Sequence, residues 1–126
     1  MHLEHVNLTV ADIDRTVDFY HRLLDFHVRW EGHSSSGRRA THIGTEGSYL
    51  ALFEGNACTL EMDYDRVGFN HFGVVVEDLD AARERLDSLG AKVHLEGDYE
   101  PGRRLYFLDP DGYEVELVEY DQEATS

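Results

Sequence analysis

The sequence predicts an α+β protein built from two tandem βαβββ modules, and three observations predict it. The chain repeats itself, each half opens with an alternating strand followed by a capped amphipathic helix, and each half ends in three short apolar strands. The repeat organises everything else. Residues 38–54 (RRATHIGTEGSYLALFE) lie on residues 103–119 (RRLYFLDPDGYEVELVE) without a gap, at an offset of 65. Identical pairs are Arg38/Arg103, Arg39/Arg104, Gly47/Gly112, Leu52/Leu117 and Glu54/Glu119. Near the start of each half, His5-VNLTVADID matches His71-FGVVVEDLD at an offset of 66. The modules span 3–54 and 70–120, joined by a linker at 55–69, in one domain covering residues 1–126.

In the first module Val6, Leu8 and Val10 alternate with His5, Asn7 and Thr9, the period of a half-buried strand. Asp12 caps the helix that follows, whose Ile13, Val17, Tyr20 and Leu24 form one stripe. The second module repeats this with Phe72, Val74 and Val76, the cap Asp78, and the stripe Leu79, Ala82, Leu86 and Leu89, which Gly90 ends. Three strands then follow in each copy, at about 26–31, 38–44 and 48–54, and about 92–96, 103–108 and 113–119. Asp109-Pro-Asp-Gly112 is a turn signal. Ser34 to Gly37 reads as a flexible connection suited to a lid.

The bulk numbers narrow the function. The chain has 26 acidic and 11 basic residues, a formal charge of −15, and Lys92 as its one lysine. Such a surface repels nucleic acid and anionic lipid, so neither is an expected partner. The balance suits concentrated salt, where screening relieves self-repulsion; a GC-rich genome, which favours arginine codons, gives the same scarcity of lysine. No apolar run is long enough to cross a bilayer. The lone cysteine, Cys58, and the lack of a signal-like N-terminus predict a cytoplasmic protein.

The repeat also shows which residues are equivalent. His5 and His71 open the first strand of each copy and face away from the apolar, helix-packed surface. Glu116 lies on the last strand, opposite in face to Val115 and Leu117. Together they make a two-His, one-carboxylate set, suited to Fe, Mn, Ni, Co or Zn as a single divalent ion with open positions. The place of Glu116 in the first copy is Ala51, so the scaffold offers four ligand places and the chain fills three.

The duplicated βαβββ unit, the histidine opening each copy, Asn70-His71-Phe-Gly and the stretch LYFLDPDGYEVELVEY (105–120) resemble the vicinal oxygen chelate superfamily. That superfamily includes glyoxalase I, bleomycin-resistance proteins, fosfomycin-resistance enzymes and extradiol dioxygenases. The resemblance runs from about Leu3 to Tyr120 and specifies the superfamily rather than the reaction. It implies a U-shaped mixed sheet around a metal that a small substrate chelates through two oxygens. It also implies a homodimer whose sites mix residues of both chains. Ala51 stands where glyoxalase I carries a glutamate. Fosfomycin-resistance enzymes and extradiol dioxygenases use His, His and Glu at these places, and Tyr106 matches a tyrosine both groups carry. The expected function is a metal-dependent enzyme of glyoxalase or dioxygenase type, a lyase, transferase or dioxygenase. A non-catalytic binder of bleomycin-resistance type is the alternative.

Around the metal, Glu116 and Tyr106 are the catalytic candidates, Tyr106 as a hydrogen-bonding or acidic group. Arg104 is expected to hold an anionic substrate group. Asn7, Arg39 and Thr41 complete the substrate-binding set, the last two assigned to the site face of the third strand. His42 is placed on the helix-packed face, and His2, His21, His27, His33 and His94 at the surface. Trp30 and Phe69 are assigned to core.

Overall fold

The computed structural model describes residues 1–99 and 102–121, with no account of the side chains of residues 98 and 99. The chain divides into two compact units, one from Met1 to Cys58 and the other beginning at Thr59.

The first unit contains β1 (His5–Val10), α1 (Ile13–Leu24), β2 (His27–His33), β3 (Arg39–Gly44) and β4 (Tyr49–Glu54). Its sheet has the order β1-β4-β3-β2, with β1 parallel to β4 and the remaining pairs antiparallel. The second unit contains β5 (His71–Val75), α2 (Leu79–Ser88), β6 (Val93–Tyr99), β7 (Gly102–Leu108) and β8 (Glu114–Tyr120), in the matching order β5-β8-β7-β6. Each unit is therefore a βαβββ module with a mixed four-stranded sheet, as the repeat predicts. No helix among the described residues is long and apolar enough to cross a membrane.

The helices begin where the sequence places their caps. Asp12 accepts from the Arg15 N–H at 3.1 Å and Asp78 from the Ala81 N–H at 3.0 Å. A second acceptor reaches each first turn from the last strand: Glu54 takes the Ile13 N–H (3.1 Å) and Glu119 the Leu79 N–H (2.8 Å). These carboxylates satisfy orphan amide donors and sit where the helix end carries partial positive charge. Glu54 is thereby committed to the helix side of its sheet.

In each unit the helix-facing sheet surface is the core. Leu8, Val10, Ile43, Leu50 and Leu52 meet Ile13, Tyr20 and Leu23, all at most 4% exposed. Leu105, Phe107, Val115 and Leu117 meet Leu86, all at most 1% exposed.

One strand departs from the ungapped repeat. β3 pairs with β4 as Thr41↔Leu52 and His42↔Ala51, whereas β7 pairs with β8 as Leu105↔Leu117 and Tyr106↔Glu116. The structural counterpart of Tyr106 is therefore His42, at an offset of 64, not Thr41 at 65. The β3–β4 connection has four residues (45–48) and the β7–β8 connection five (109–113). Before the strand, five residues separate the paired His33 and Arg39 and four separate the equivalent pair Asp98 and Arg103, so the two one-residue differences cancel and the overall offset hides the slip. A one-residue shift exchanges strand faces. Arg39 and Thr41 thus face the helix. Arg39 pairs with Asp14 of α1 at 2.7 Å, as Arg103 pairs with Asp80 of α2 at 3.1 Å, and Thr41 is 1% exposed. Both therefore lie on the face opposite the one expected for the third strand, away from Ala51. His42 is likewise not on the helix-packed face.

Trp30 and Phe69 are 45% and 61% exposed, so neither is core. Trp30 sits on edge strand β2 against the ring of His42.

Candidate metal centre

In the second unit the site-facing side of the sheet carries His71 on β5, Tyr106 and Arg104 on β7, and Glu114 and Glu116 on β8. The register sets His71 opposite Glu114, and Gly73 opposite Glu116. Gly73 leaves room there: a β-carbon on it would meet Glu116 only at ordinary contact distance.

His71 Nε2 lies 3.0 Å from Glu116 Oε1, and Arg104 Nη1 donates to Glu116 Oε2 at 2.9 Å. The Tyr106 ring stands edge-on to His71, with centroids 5.1 Å apart. Four of the predicted residues, His71, Glu116, Arg104 and Tyr106, are therefore brought together. Arg104 holds the candidate ligand carboxylate itself. Glu116 is buried, and the Arg104 guanidinium meets its charge.

Three residues of this cluster were not singled out by sequence reasoning. Tyr64, from the linker, meets His71 Nδ1 at 2.9 Å and donates its hydroxyl to Glu114 Oε1. His94, exposed as expected, bonds Glu114 Oε2 through Nε2 at 2.7 Å. Glu114 is 8% exposed, and burial followed by the charge of Glu116 pushes its carboxyl above the usual range. Alternation along β8 puts Glu114 and Glu116 on one face, a signal available in the sequence. His94 stands at the register shift between Val93 and Leu95, where strand alternation fails.

The network fixes the state of His71. The Tyr64 hydroxyl has one proton and gives it to Glu114, so towards His71 Nδ1 it can only accept. Nδ1 therefore carries the hydrogen, and in the neutral ring the Nε2 lone pair faces the Glu116 oxygen. Two acceptors 3.0 Å apart are completed by a cation between them, either a proton or a metal ion.

The first unit holds the other predicted residues. His5 Nδ1 bonds Glu4 Oε1 at 2.9 Å, and the Tyr49 hydroxyl donates to the same oxygen at 3.0 Å. His5, too, keeps Nδ1 engaged and Nε2 as its free lone pair. Those two donors hold the Glu4 carboxyl below its usual range, while burial and then Glu4 itself push the Tyr49 phenol up. Both copies thus pair the histidine with a tyrosine–glutamate set, but from different positions. Tyr49 occupies the place of Glu114, and Glu4 precedes β1.

Asn7 donates its side-chain amide to the Ala51 carbonyl at 2.8 Å, tying β1 to β4. Ala51 shares its face with His5, Asn7 and His42, as the repeat requires of the counterpart of Glu116. His42 stacks on Tyr49 with centroids 4.6 Å apart. Burial, then the charges of His5 and Arg29, lower its pKa.

Residues 2–117 match a model of the Glyoxalase/Bleomycin resistance protein/Dioxygenase superfamily. The glutathione transferase FosA of Serratia marcescens is 29% identical over 128 residues, covering 91% of this chain and 78% of its own length. A probable lactoylglutathione lyase of Synechocystis is 28% identical over 127 residues, covering 94% of this chain and 95% of its own length. A similar fold is seen in a mutant of the fosfomycin resistance protein FosX from Listeria monocytogenes, complexed with Mn(II) and 1S,2S-dihydroxypropylphosphonic acid. It has a TM-score of 0.77 at 23% identity over 98% of this chain and 96% of its own length. With residues 2–117 matched and both modules built as βαβββ units, the chain belongs to the glyoxalase/bleomycin resistance/dioxygenase superfamily.

Proposed function

We propose that His71 and Glu116, together with His5 of the first copy, bind one divalent metal ion, and that the protein is a metal-dependent enzyme acting on a small oxygen-rich substrate. The observation that carries this reading is the pair of acceptors at 3.0 Å, His71 Nε2 and Glu116 Oε1. The donor set fits: each histidine has Nδ1 engaged, each keeps Nε2 to ligate, and Glu116 adds a carboxylate oxygen. His5 enters by its equivalence to His71 in the repeat, supplied by the same chain or by a second copy.

A bound divalent ion of this kind acts as a Lewis acid on an oxygen-chelating substrate. The chain's own residues do the rest. Arg104 holds one oxygen of Glu116 and leaves the other for the ion. Tyr106, edge-on to His71, offers its hydroxyl to a substrate oxygen as hydrogen-bond or proton donor. Ala51 leaves the fourth ligand place unfilled, which supports an open site rather than the full set of a glyoxalase I. The relatives are a transferase and a lyase by name, and we leave the metal as Fe, Mn, Ni, Co or Zn.

We also propose a homodimer in a reducing, cytoplasmic setting. Trp30 and Leu95, at equivalent places on edge strands β2 and β6, are 45% and 57% exposed, and Val67 and Phe69 of the linker are more so. Cys58 is free and exposed.

The test is metal analysis of protein purified without chelator, with His5→Ala and His71→Ala beside it. Each variant is expected to hold about one equivalent of metal less than the parent. A metal-free parent, or full metal in both variants, would overturn the reading. Oxygen uptake with catechols against lactoylglutathione formation then separates dioxygenase from glyoxalase; bound metal with neither points to a binder.

A further inference from the structure

We propose that His21, Asp25 and His27 form a second divalent-metal site at the α1–β2 corner of the first unit, taking zinc or another ion that favours imidazole. His21 lies in the last turn of α1, Asp25 is its C-cap, and His27 opens β2. One ligand atom from each lies within 4.8 Å of the other two, and this is the group of that kind found among the described residues. His21 Nδ1 is 3.9 Å from Asp25 Oδ1, and His27 Nε2 is 3.7 Å from Asp25 Oδ2. Both separations exceed a hydrogen bond. The His27–Asp25 separation is close to the spacing of two donors on one tetrahedral ion, roughly 3.4 Å for bonds of about 2.0–2.1 Å. Small side-chain rotations close the set, and water completes it.

The ring of His21 is already aimed. Its Nδ1–H donates to the Phe26 carbonyl at 3.0 Å, which leaves Nε2 with the lone pair an ion needs. The corner also lies at the C-terminus of a 12-residue helix, where the partial negative charge of the last carbonyls favours a cation.

The second copy shows that the fold does not demand these residues. Asp25 has φ 59°, the one non-glycine residue at positive φ among the described residues, and its counterpart is Gly90 at φ 72°. A left-handed residue with a β-carbon is disfavoured. The places of His21 and His27 are held by Asp87 and Lys92 in the second copy, and the lysine would repel a cation. The first copy thus keeps an acid at a glycine position and sets an imidazole on each side of it.

The test uses the full chain, stripped of metal, in the His71→Ala background so that the proposed catalytic centre does not contribute. Zinc binding is followed by equilibrium dialysis at pH 7.5, and thermal midpoints are recorded with and without zinc. The parent is expected to take up one zinc equivalent and to rise in midpoint with zinc. His27→Gln and Asp25→Gly are each expected to lose that equivalent and that rise. Asp25→Gly suits the left-handed backbone, so its zinc-free midpoint should equal or exceed the parent's, separating lost binding from lost folding. Uptake by either variant equal to the parent's, or no uptake by the parent, overturns the proposal.

Discussion

Removing one oxygen from Tyr64 tests whether His71 is held ready for a metal. In the structure that oxygen accepts the His71 Nδ1–H at 2.9 Å and donates to Glu114. Outer partners of a ligating histidine are worth about 10–100-fold in metal affinity, or about 1.4–2.8 kcal/mol. Tyr64 is 54% exposed, so in Tyr64→Phe a water can take the hydroxyl's place, and the loss should fall near tenfold. Glu114 is 8% exposed and also holds His94. In Glu114→Gln the amide N–H faces either the Tyr64 hydroxyl or His94 Nε2, so one of the two hydrogen bonds to the carboxylate must reverse its direction or be lost. A hydrogen bond to a charged group contributes about 1.5–3 kcal/mol, so the loss should exceed that of Tyr64→Phe and fall between roughly tenfold and a hundredfold. Competition against a chelator of known affinity measures both, and ¹⁵N shifts of the His71 ring report which nitrogen carries the proton. Affinities within twofold of the parent in both variants, or a ring protonated at Nε2 alone, would refute the reasoning.

Three further outcomes follow from the structure. Glu119→Ala removes the acceptor of the Leu79 N–H and one partner of Arg103, and should cost about 1–2 kcal/mol in urea unfolding while leaving the β8 register intact. Arg39 beside Asp14, by hydrogen bond and then charge, holds that carboxyl below its usual range. A depressed acid contributes stability that is present above its unfolded pKa and is lost as pH falls through the folded one. The Asp14→Asn protein should therefore lose less stability than the parent on acidification below about pH 4, read from urea midpoints. The formal charge of −15 predicts that the thermal midpoint rises with KCl; an unchanged midpoint from low salt to molar KCl would dismiss the salt-adapted reading.

What the sequence made legible was whatever depends on period and on local chemistry. The helix caps at Asp12 and Asp78 work as read, because an aspartate before an apolar stripe acts on its own next turn. The faces of β5, β7 and β8 follow from alternation, which places His71, Tyr106 and Glu116 on one side. The β3 faces were illegible, because two opposite length differences in its flanking turns leave an ungapped alignment intact. His94 escaped because a bulge suspends alternation where it stands. Tyr64 escaped because a loop residue reaches its partner Glu114 across 50 positions by side-chain length alone, which no periodicity records.

The shifted third strand bears on how these modules can be recombined. A graft that trades residues 39–44 for 104–109 by matching numbers would drive the bulk of Tyr106 into the space where Thr41 is 1% exposed. The same trade made one residue earlier, 103–108, would set that tyrosine beside Ala51, in the row that holds His5. The exchangeable part is therefore a strand together with both of its turns. A lineage that gains a residue in one turn and loses one in the other can change which side chains face its chemistry without altering the length of the chain.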